Sequence, residues 1–367
     1  RLLIQSRQIM RIFDRIIQLS LWISSAILLI SYATPFFHPA SIPWLPFMGL
    51  MYPVWVFSAV LVTTIAMIRK TPFKYIGVFV LFIGFSFHLR LIALSFFDPA
   101  PTENSIKLLT YNVRLFGVYD DTTTQSRNNI FNLIREEQPD VACFQEYYRQ
   151  DKPTSFETYD SIRQIMNSID YHERSAHNER GKRNFGIAIF SKYPMIARGD
   201  VMFESQGTMD FNYCVFADVV CLKDTVRIYN VHLQSIRLSE PGSTPATGTI
   251  SILKTGIKKM NSAYIKRADQ ARKVIEHMES SPYPIVVCGD FNDTPMSYTY
   301  HQFYKKMTDG FREASFGLGA TYIGRIPAGR IDYVFHTDEL SCSNFKVHKV
   351  NYSDHRPITC NINFSKP

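Results

Sequence analysis

Hydrophobic and polar positions follow two different rules along this chain. Between Arg15 and Arg69, 53 consecutive residues contain no Asp, Glu, Lys or Arg, and His38 is their only imidazole. A helix that crosses a bilayer needs about 20 apolar residues. The run therefore predicts two spans, residues 16–33 and 45–68, joined by a link whose Pro35, Pro39 and Pro43 turn the chain. A third apolar stretch, 75–97, contains His88 and Arg90. Ionisable groups inside a span are costly unless they reach the interface or face protein, so this segment crosses only if both do. A buried hairpin of a soluble domain fits worse, because the runs are too long and too free of charge for a core. The two apolar segments that follow the first argue against a cleaved signal peptide.

After residue 100 the pattern becomes short apolar runs separated by polar turns. IKLLTYNV, PDVACFQE, FGIAIFSK, FNYCVFADVVCL, VRIYNVHL, PIVVCGDF, RIDYVFH, NFKVHKV and PITCNINF each predict a strand. Helical spacing covers residues 126–137, 155–168 and 262–280, and LKDT between two strands marks a hairpin turn. Such alternation implies a mixed α/β fold in layers. Residues 235–261 are rich in Ser, Thr, Gly and Pro and then basic at Lys254, Lys258 and Lys259; they read as a long surface loop able to touch substrate or membrane. The expected division is a membrane anchor over residues 1–100 and a folded domain over 101–367.

Charge sharpens this division. Of the formal +8, residues 1–100 carry +6 and the remainder +2, so the second part lacks the general basic footprint of a nucleic-acid binder. Lys and Arg flanking membrane spans mark the cytoplasmic side. Arg1, Arg7, Arg11 and Arg15 precede the first span, Arg69, Lys70 and Lys74 follow the second, and the Pro-rich link holds no Lys or Arg. The expected topology puts the N-terminus and the second link in the cytoplasm. If the third segment crosses, everything after Phe97 lies outside. No Met opens the chain, and Met10 is an alternative natural start.

Six cysteines form no CxxC pair and no zinc spacing. Cys143 and Cys288 fall within apolar strands and read as core residues. An oxidising address would permit a disulfide between Cys342 and Cys360, which the sequence leaves open.

Chemistry-bearing residues fall at the ends of predicted strands: Asn112, Glu146, His232, Asp290 with Asn292, Asp332, and Asp354 with His355. One polar residue at a strand end is usually a turn former. Six strand ends that deliver acids, amides and imidazoles are another matter, because adjacent strands bring their ends together. Carboxylate and amide oxygens are the ligands that hard cations prefer, and histidines beside carboxylates offer proton transfer or a charged donor. The residues alone point to a metal-assisted hydrolase.

The blocks TYNVR, FQE, NVHLQS, GDFND, RIDYVF and SDHRP, in this order, resemble the signature of the endonuclease/exonuclease/phosphatase superfamily, which includes deoxyribonucleases, abasic-site endonucleases, inositol polyphosphate phosphatases and sphingomyelinases. The resemblance spans residues 105–364. It implies a four-layer α/β/β/α sandwich of the deoxyribonuclease type and hydrolysis of a phosphodiester or phosphomonoester with magnesium, manganese being a possible substitute. By the same resemblance Asn112, Glu146 and Asp354 would hold the metal. Asp290 would activate water, Asn292 would bind the phosphoryl oxygen, and His355, oriented by Asp332, would contact the scissile phosphate. His232 matches the imidazole on the far side of the phosphate, where abasic-site enzymes carry a tyrosine.

Arg330 and Arg356 flank motifs where a guanidinium could bind substrate phosphate, or each could form a structural salt bridge. His172, His177, His277 and His348 match no motif and read as packing or surface residues, and Asp293 reads as a turn cap. Three functions remain: a phosphodiesterase on a lipid headgroup, a nuclease on extracellular nucleic acid with Tyr147, Tyr148 or Tyr322 stacking on bases, and a binding module without activity. Loops 118–127 and 235–261 carry no motif that chooses between substrates.

Overall fold

Strand alternation after residue 100 produces two six-stranded sheets. The computed structural model describes residues 2–95, 100–119, 123–150, 154, 156–178, 183–203, 212–236, 249–324 and 329–364. Five helices come first: α1 (Leu2–Tyr32), α2 (Leu45–Leu50), α3 (Tyr52–Ile68), α4 (Tyr75–Ile83) and α5 (Phe85–Leu91), followed by a short strand β1 (Ala93–Leu94). The next elements are β2 (Ser105–Asn112), α6 (Thr123–Glu137), β3 (Val141–Gln150), α7 (Thr158–Met166), β4 (Asp170–Asn178), β5 (Arg183–Ser191), β6 (Met195–Val201), β7 (Tyr213–Cys221) and β8 (Asp224–His232). The chain closes with α8 (Thr249–Met278), β9 (Ile285–Asp290), α9 (Tyr298–Tyr304), β10 (Thr308–Asp309), α10 (Gly310–Ala314), β11 (Phe316–Gly317), β12 (Asp332–His336), β13 (Ser341–Val347) and β14 (Ile358–Asn363).

One sheet runs β13-β14-β2-β3-β5-β4 and the other β10-β12-β9-β8-β7-β6. Successive side chains of a strand point to opposite faces, and here both faces are apolar. Ile106 and Leu108 of β2 enter the core between the sheets with Val286 and Cys288 of β9. The alternate residues Leu109 and Tyr111 pack outward against Ile130 and Ile134 of α6. Val287 packs outward on the other side, with Val274 of α8 and Phe303 of α9. The result is the α/β/β/α sandwich that the resemblance implies.

All nine expected strands are present, and Leu222 and Lys223 form the tight turn between β7 and β8. Five strands were not expected: the two-residue β1, β10 and β11, and the longer β4 and β6. β4 and β6 occupy the outer edge of each sheet, and their sequences, DYHERSAHN and MIARGDV, show little alternation because an edge strand can stay polar. The expected loop 235–261 is also corrected. Helix α8 begins at Thr249, so Lys254, Lys258 and Lys259 sit on a helix, while residues 237–248 lie outside the described residues. The six cysteines are all free and buried, Cys342 and Cys360 included.

In the N-terminal part, α1 packs against α3 and α4. The close approach is made by glycine: a Cβ on Gly77 would lie 2.0 Å from Thr63 Oγ1, and one on Gly84 would lie 1.9 Å from the Tyr32 hydroxyl. Leu19, Trp22, Phe57, Phe79 and Phe82 stand exposed around this bundle, Phe82 to 77%. Among the described residues, one helical segment, Gln8–Phe36, is long and apolar enough to cross a membrane. The expected span 45–68 divides at Met51, ahead of Pro53, into α2 and α3. The expected span 75–97 divides at Gly84 and stops at Leu91. The chain then extends as β1, which pairs antiparallel with β11 through Ala93↔Gly317 and Leu94↔Phe316, and Ser95 N donates to Ser315 O at 3.1 Å.

Candidate active site

Parallel pairing carries two sequence motifs to the same end of each sheet. In one sheet Asn112 of β2 lies opposite Gln145 of β3; in the other His232 of β8 lies opposite Asp290 of β9, which lies opposite Asp332 of β12. The two sheets are joined at this end by the Asn112 side chain, whose Nδ2 donates to Asp290 Oδ2 at 3.0 Å. Asn112, His232, Asp290, Asp332 and His355 are all buried.

The GDFN segment turns sharply. Gly289 has φ +131°, and a Cβ there would lie 2.1 Å from Val231 O of the neighbouring strand, so this position requires glycine. Asp290 Oδ1 accepts from the Asn292 backbone N–H at 2.8 Å, and Asn292, at φ +53°, donates from Nδ2 to Leu233 O at 3.0 Å. Asparagine tolerates this left-handed conformation better than most residues.

Glu146 sits on a bulge of β3, where the register with β5 shifts between Phe144 and Tyr147 and Glu146 itself has φ +48°. An extra residue of this kind redirects a side chain while the strand continues. Beneath it is a buried amide network that the sequence reading did not identify. Asn230 Nδ2 donates to Phe144 O at 3.1 Å and Ala188 O at 2.9 Å, and Asn230 Oδ1 accepts from Gln145 Nε2 at 2.6 Å. Asn230 thus links β8 to both strands at the bulge. Asn230→Ala should lower the free energy of unfolding by about 1–3 kcal/mol, the cost of leaving buried groups unpaired. Thermal unfolding followed by circular dichroism would measure it, and an unchanged midpoint would refute the role.

Burial pushes the Glu146 carboxyl up; His355 opposes this, Asp354 reinforces it, and a hydrogen bond with Asn112 and the charge of Arg114 oppose it. Burial likewise raises Asp290 to about 6, against the pull of His355. For His355 burial favours the neutral ring, but Asp332 and Asp290 outweigh it and hold the imidazole up to about 10. Its Nδ1 lies 3.0 Å from Asp332 Oδ2, and its Nε2 lies 3.6 Å from Asp290 Oδ2. His232 Nε2 approaches the same Asp290 oxygen at 3.7 Å. Ser353 Oγ donates to Asn112 O at 2.8 Å and accepts from the His355 backbone N–H at 3.2 Å, which ties the SDH segment to β2. Asp354 is half-buried, with Arg114 Nε 4.0 Å from its Oδ2.

Asp290, Asp332 and His355 each place a ligand atom within 4.8 Å of the others, close enough to share a metal ion. An imidazolium held between two carboxylates already provides that cluster with a cation. Glu146, Asn112 and Asp354 offer oxygen alone, and Glu146 is a partly buried carboxylate that a second acid destabilises further. A hard divalent cation fits that donor set better.

Two expected phosphate ligands are turned elsewhere. Arg330 is buried, donating to Asp309 from Nη1 at 3.0 Å and from Nη2 at 2.7 Å, and to Arg90 O at 2.9 Å. Arg356 Nη1 donates to Ala320 O at 3.2 Å. The base-stacking reading fails for Tyr147 and Tyr148, which are buried in the core beside α6 and α7. Tyr322 does reach the site, its ring 5.1 Å from that of His355 and edge-on to it. Arg114, whose only sequence signal is its place in TYNVR, also borders it. Asp293 is buried, accepts from the Thr294 N–H at 3.1 Å and lies 3.8 Å from Arg267 Nε.

The model of the Endonuclease/Exonuclease/phosphatase family matches residues 109–355, and that of a domain of unknown function matches residues 14–91. No curated protein matches. An endonuclease/exonuclease/phosphatase from Beutenbergia cavernae DSM 12333 is similar at a TM-score of 0.52 and 18% identity, over 72% of this chain and 72% of that one. A family protein from Bacteroides thetaiotaomicron gives 0.53 and 16%, over 73% and 100%. A mannosyl-6-phosphatase of Bacteroides thetaiotaomicron VPI-5482 gives 0.51 and 17%, over 71% and 100%. At such identities the likeness is one of fold.

Proposed function

This chain belongs to the endonuclease/exonuclease/phosphatase family, and we propose that it is a magnesium-dependent hydrolase of phosphate esters tethered to a membrane. The observation that carries the reading is the convergence of Asp290, His355, Asp332, His232 and Asn112 on one buried end of two sheets. Asp290 stands between two imidazoles and takes the proton of the attacking water. The water oxygen bonds to phosphorus as the ester P–O bond breaks, and the leaving oxygen takes a proton from solvent. His355, fixed by Asp332, stays an imidazolium and stabilises the charge on the five-coordinate phosphorus, with His232 and Asn292 binding the phosphoryl oxygens. Magnesium, or manganese in its place, held by Glu146, Asn112 and Asp354, would supply neutralisation of substrate charge.

Glu146→Gln should raise the magnesium concentration for half-maximal rate by at least about tenfold while the fold persists, the scale of an altered metal ligand environment. Titration of the full chain in detergent with magnesium and with EDTA, using bis(4-nitrophenyl) phosphate, checks it. No turnover at any magnesium concentration by the unaltered chain would overturn the hydrolase reading.

The tether is a multi-pass anchor with the catalytic domain on the outer side. Its support is the exposed apolar girdle of the helical bundle and the placement of the first link. Phe36 and His38 of that link lie 5.0 and 5.2 Å, ring to ring, from His301 and Tyr298 of the catalytic domain. The basic residues Arg7, Arg11 and Arg15 lie in the opposite, N-terminal half of α1, which an Asp14–Arg69 pair at 2.9 Å joins to the second link. Protease added to spheroplasts should digest the catalytic domain; its full protection would reverse the topology.

A further inference from the structure

We infer that the substrate of this site is a phosphoester carrying an alkyl chain, and that the chain lies in an apolar cavity formed jointly by the membrane helices and the catalytic domain. The inference rests on the hydrolase reading and adds the substrate class to it. The cavity measures 290 Å³, near the lower limit of about 300 Å³ for small-molecule sites, which suits one slender group. Leu50, Pro53 and Leu91 line it from the helices, and Pro295, Leu318 and Ala320 from the catalytic domain.

Its position follows from the chain's own connectivity. Three segments that build the active site run on into the cavity wall: Thr294 lies two residues after Asn292, Ala320 two before Tyr322, and Arg330 two before Asp332. Arg330 brings no available charge to the wall, because Asp309 and the Arg90 carbonyl hold its guanidinium. A chain in the cavity would therefore have its phosphate end directed at the catalytic groups.

A second observation points to the same ligand. The exposed apolar surface of the helices does not stop at their tips. Met51 and Val54, beside the cavity residues Leu50 and Pro53, are exposed, as are Ile92 and Leu94 beyond α5. On the catalytic domain Phe316 is 65% exposed and Leu318 66%. Phe316 pairs with Leu94, so exposed apolar residues of the helical part and of the catalytic domain adjoin next to the cavity residues Leu91 and Leu318. Apolar surface beside a membrane-crossing helix is covered by lipid, and a lipid is the substrate that such a surface delivers.

The test uses the full chain in phosphatidylcholine vesicles with two chromogenic diesters, methyl 4-nitrophenyl phosphate and dodecyl 4-nitrophenyl phosphate. Each reacts with water to give 4-nitrophenol and an alkyl phosphate, so the leaving group is constant. Leu50→Trp, which fills the cavity from the helix side, should leave kcat/KM for the methyl ester within twofold and lower it for the dodecyl ester at least tenfold. Across intermediate lengths, each methylene the cavity covers should multiply the kcat/KM of the unaltered chain by about fourfold. Leu318→Trp repeats the test from an exposed position that a larger side chain does not disturb. Partition of the ester into the vesicle is the same for every variant, so an undiminished dodecyl preference in both variants overturns the cavity assignment. Rapid cutting of plasmid DNA without any chain-length preference assigns a nucleic acid and overturns it too. If the unaltered chain hydrolyses none of the three, the hydrolase reading itself fails, and the inference with it.

Discussion

Asp290→Asn should reduce kcat of the full chain on bis(4-nitrophenyl) phosphate by about 10²–10⁴, the contribution of a positioned general base. The amide keeps the size of the carboxylate and can still hold the Asn292 N–H through its oxygen, so the turn after β9 persists. Loss of a buried negative charge also relieves the desolvation that raises Asp290 to about 6. The variant should therefore fold as well as the parent, and its unfolding midpoint is the control. His355→Ala should cost as much, because it removes the cation between Asp290 and Asp332. The two groups serve one step, so the double variant should be little worse than the weaker single variant, since effects of residues acting as a unit are not additive. Near-parental rates in either single variant would remove that residue from the chemistry; a fully additive double variant would separate their roles.

What the sequence disclosed and what it hid have distinct physical causes. Central strands buried on both faces read as unbroken apolar runs, so β2, β3, β5, β8 and β9 were legible, and the polar residues ending them were conspicuous. Edge strands β4 and β6 owe little to a core and carried no such mark. Asn230 was invisible for another reason. It sits inside the apolar run VRIYNVHL, and only the bulge at Glu146, a feature of tertiary pairing, shows why an amide is needed there. Arg330 misled by adjacency: it precedes the strand bearing Asp332, but its side chain leaves the site for Asp309, 21 residues earlier.

Hydropathy located the apolar segments but not their breaks. Pro53 and Gly84 interrupt two of them, and the third apolar stretch, which runs on to Phe97 in the sequence, turns into strand at Ala93. That turn gives the N-terminal helices a structural part in the fold that follows. The Arg90 carbonyl at the end of α5 accepts from Arg330, Arg312 Nε donates to Leu89 O at 3.0 Å, and β1 pairs with β11. An enzyme cut at residue 100 would lose all three.

Arg330→Ala should lower the free energy of unfolding by about 3–5 kcal/mol, the cost of removing one partner of a buried ion pair. Asp309 is the reason. Its carboxylate also accepts from Tyr300 Oη at 2.7 Å and the Phe311 N–H at 3.1 Å, and both it and Arg330 are buried. Without the guanidinium those two neutral donors face a buried charge alone, and the Arg90 carbonyl loses its donor. Urea unfolding of the full chain in detergent measures the loss. Arg330→Met combined with Asp309→Leu removes both charges and should recover most of the stability, since a buried pair replaced by apolar groups of similar size is often neutral. The same variants decide the role of Arg330. A cation that binds substrate phosphate would leave the double variant stable but with a KM raised at least about tenfold, the loss of a charged hydrogen bond of roughly 1.5–3 kcal/mol. A structural cation leaves KM unchanged wherever the protein is folded, which is the outcome its bidentate hold on Asp309 predicts.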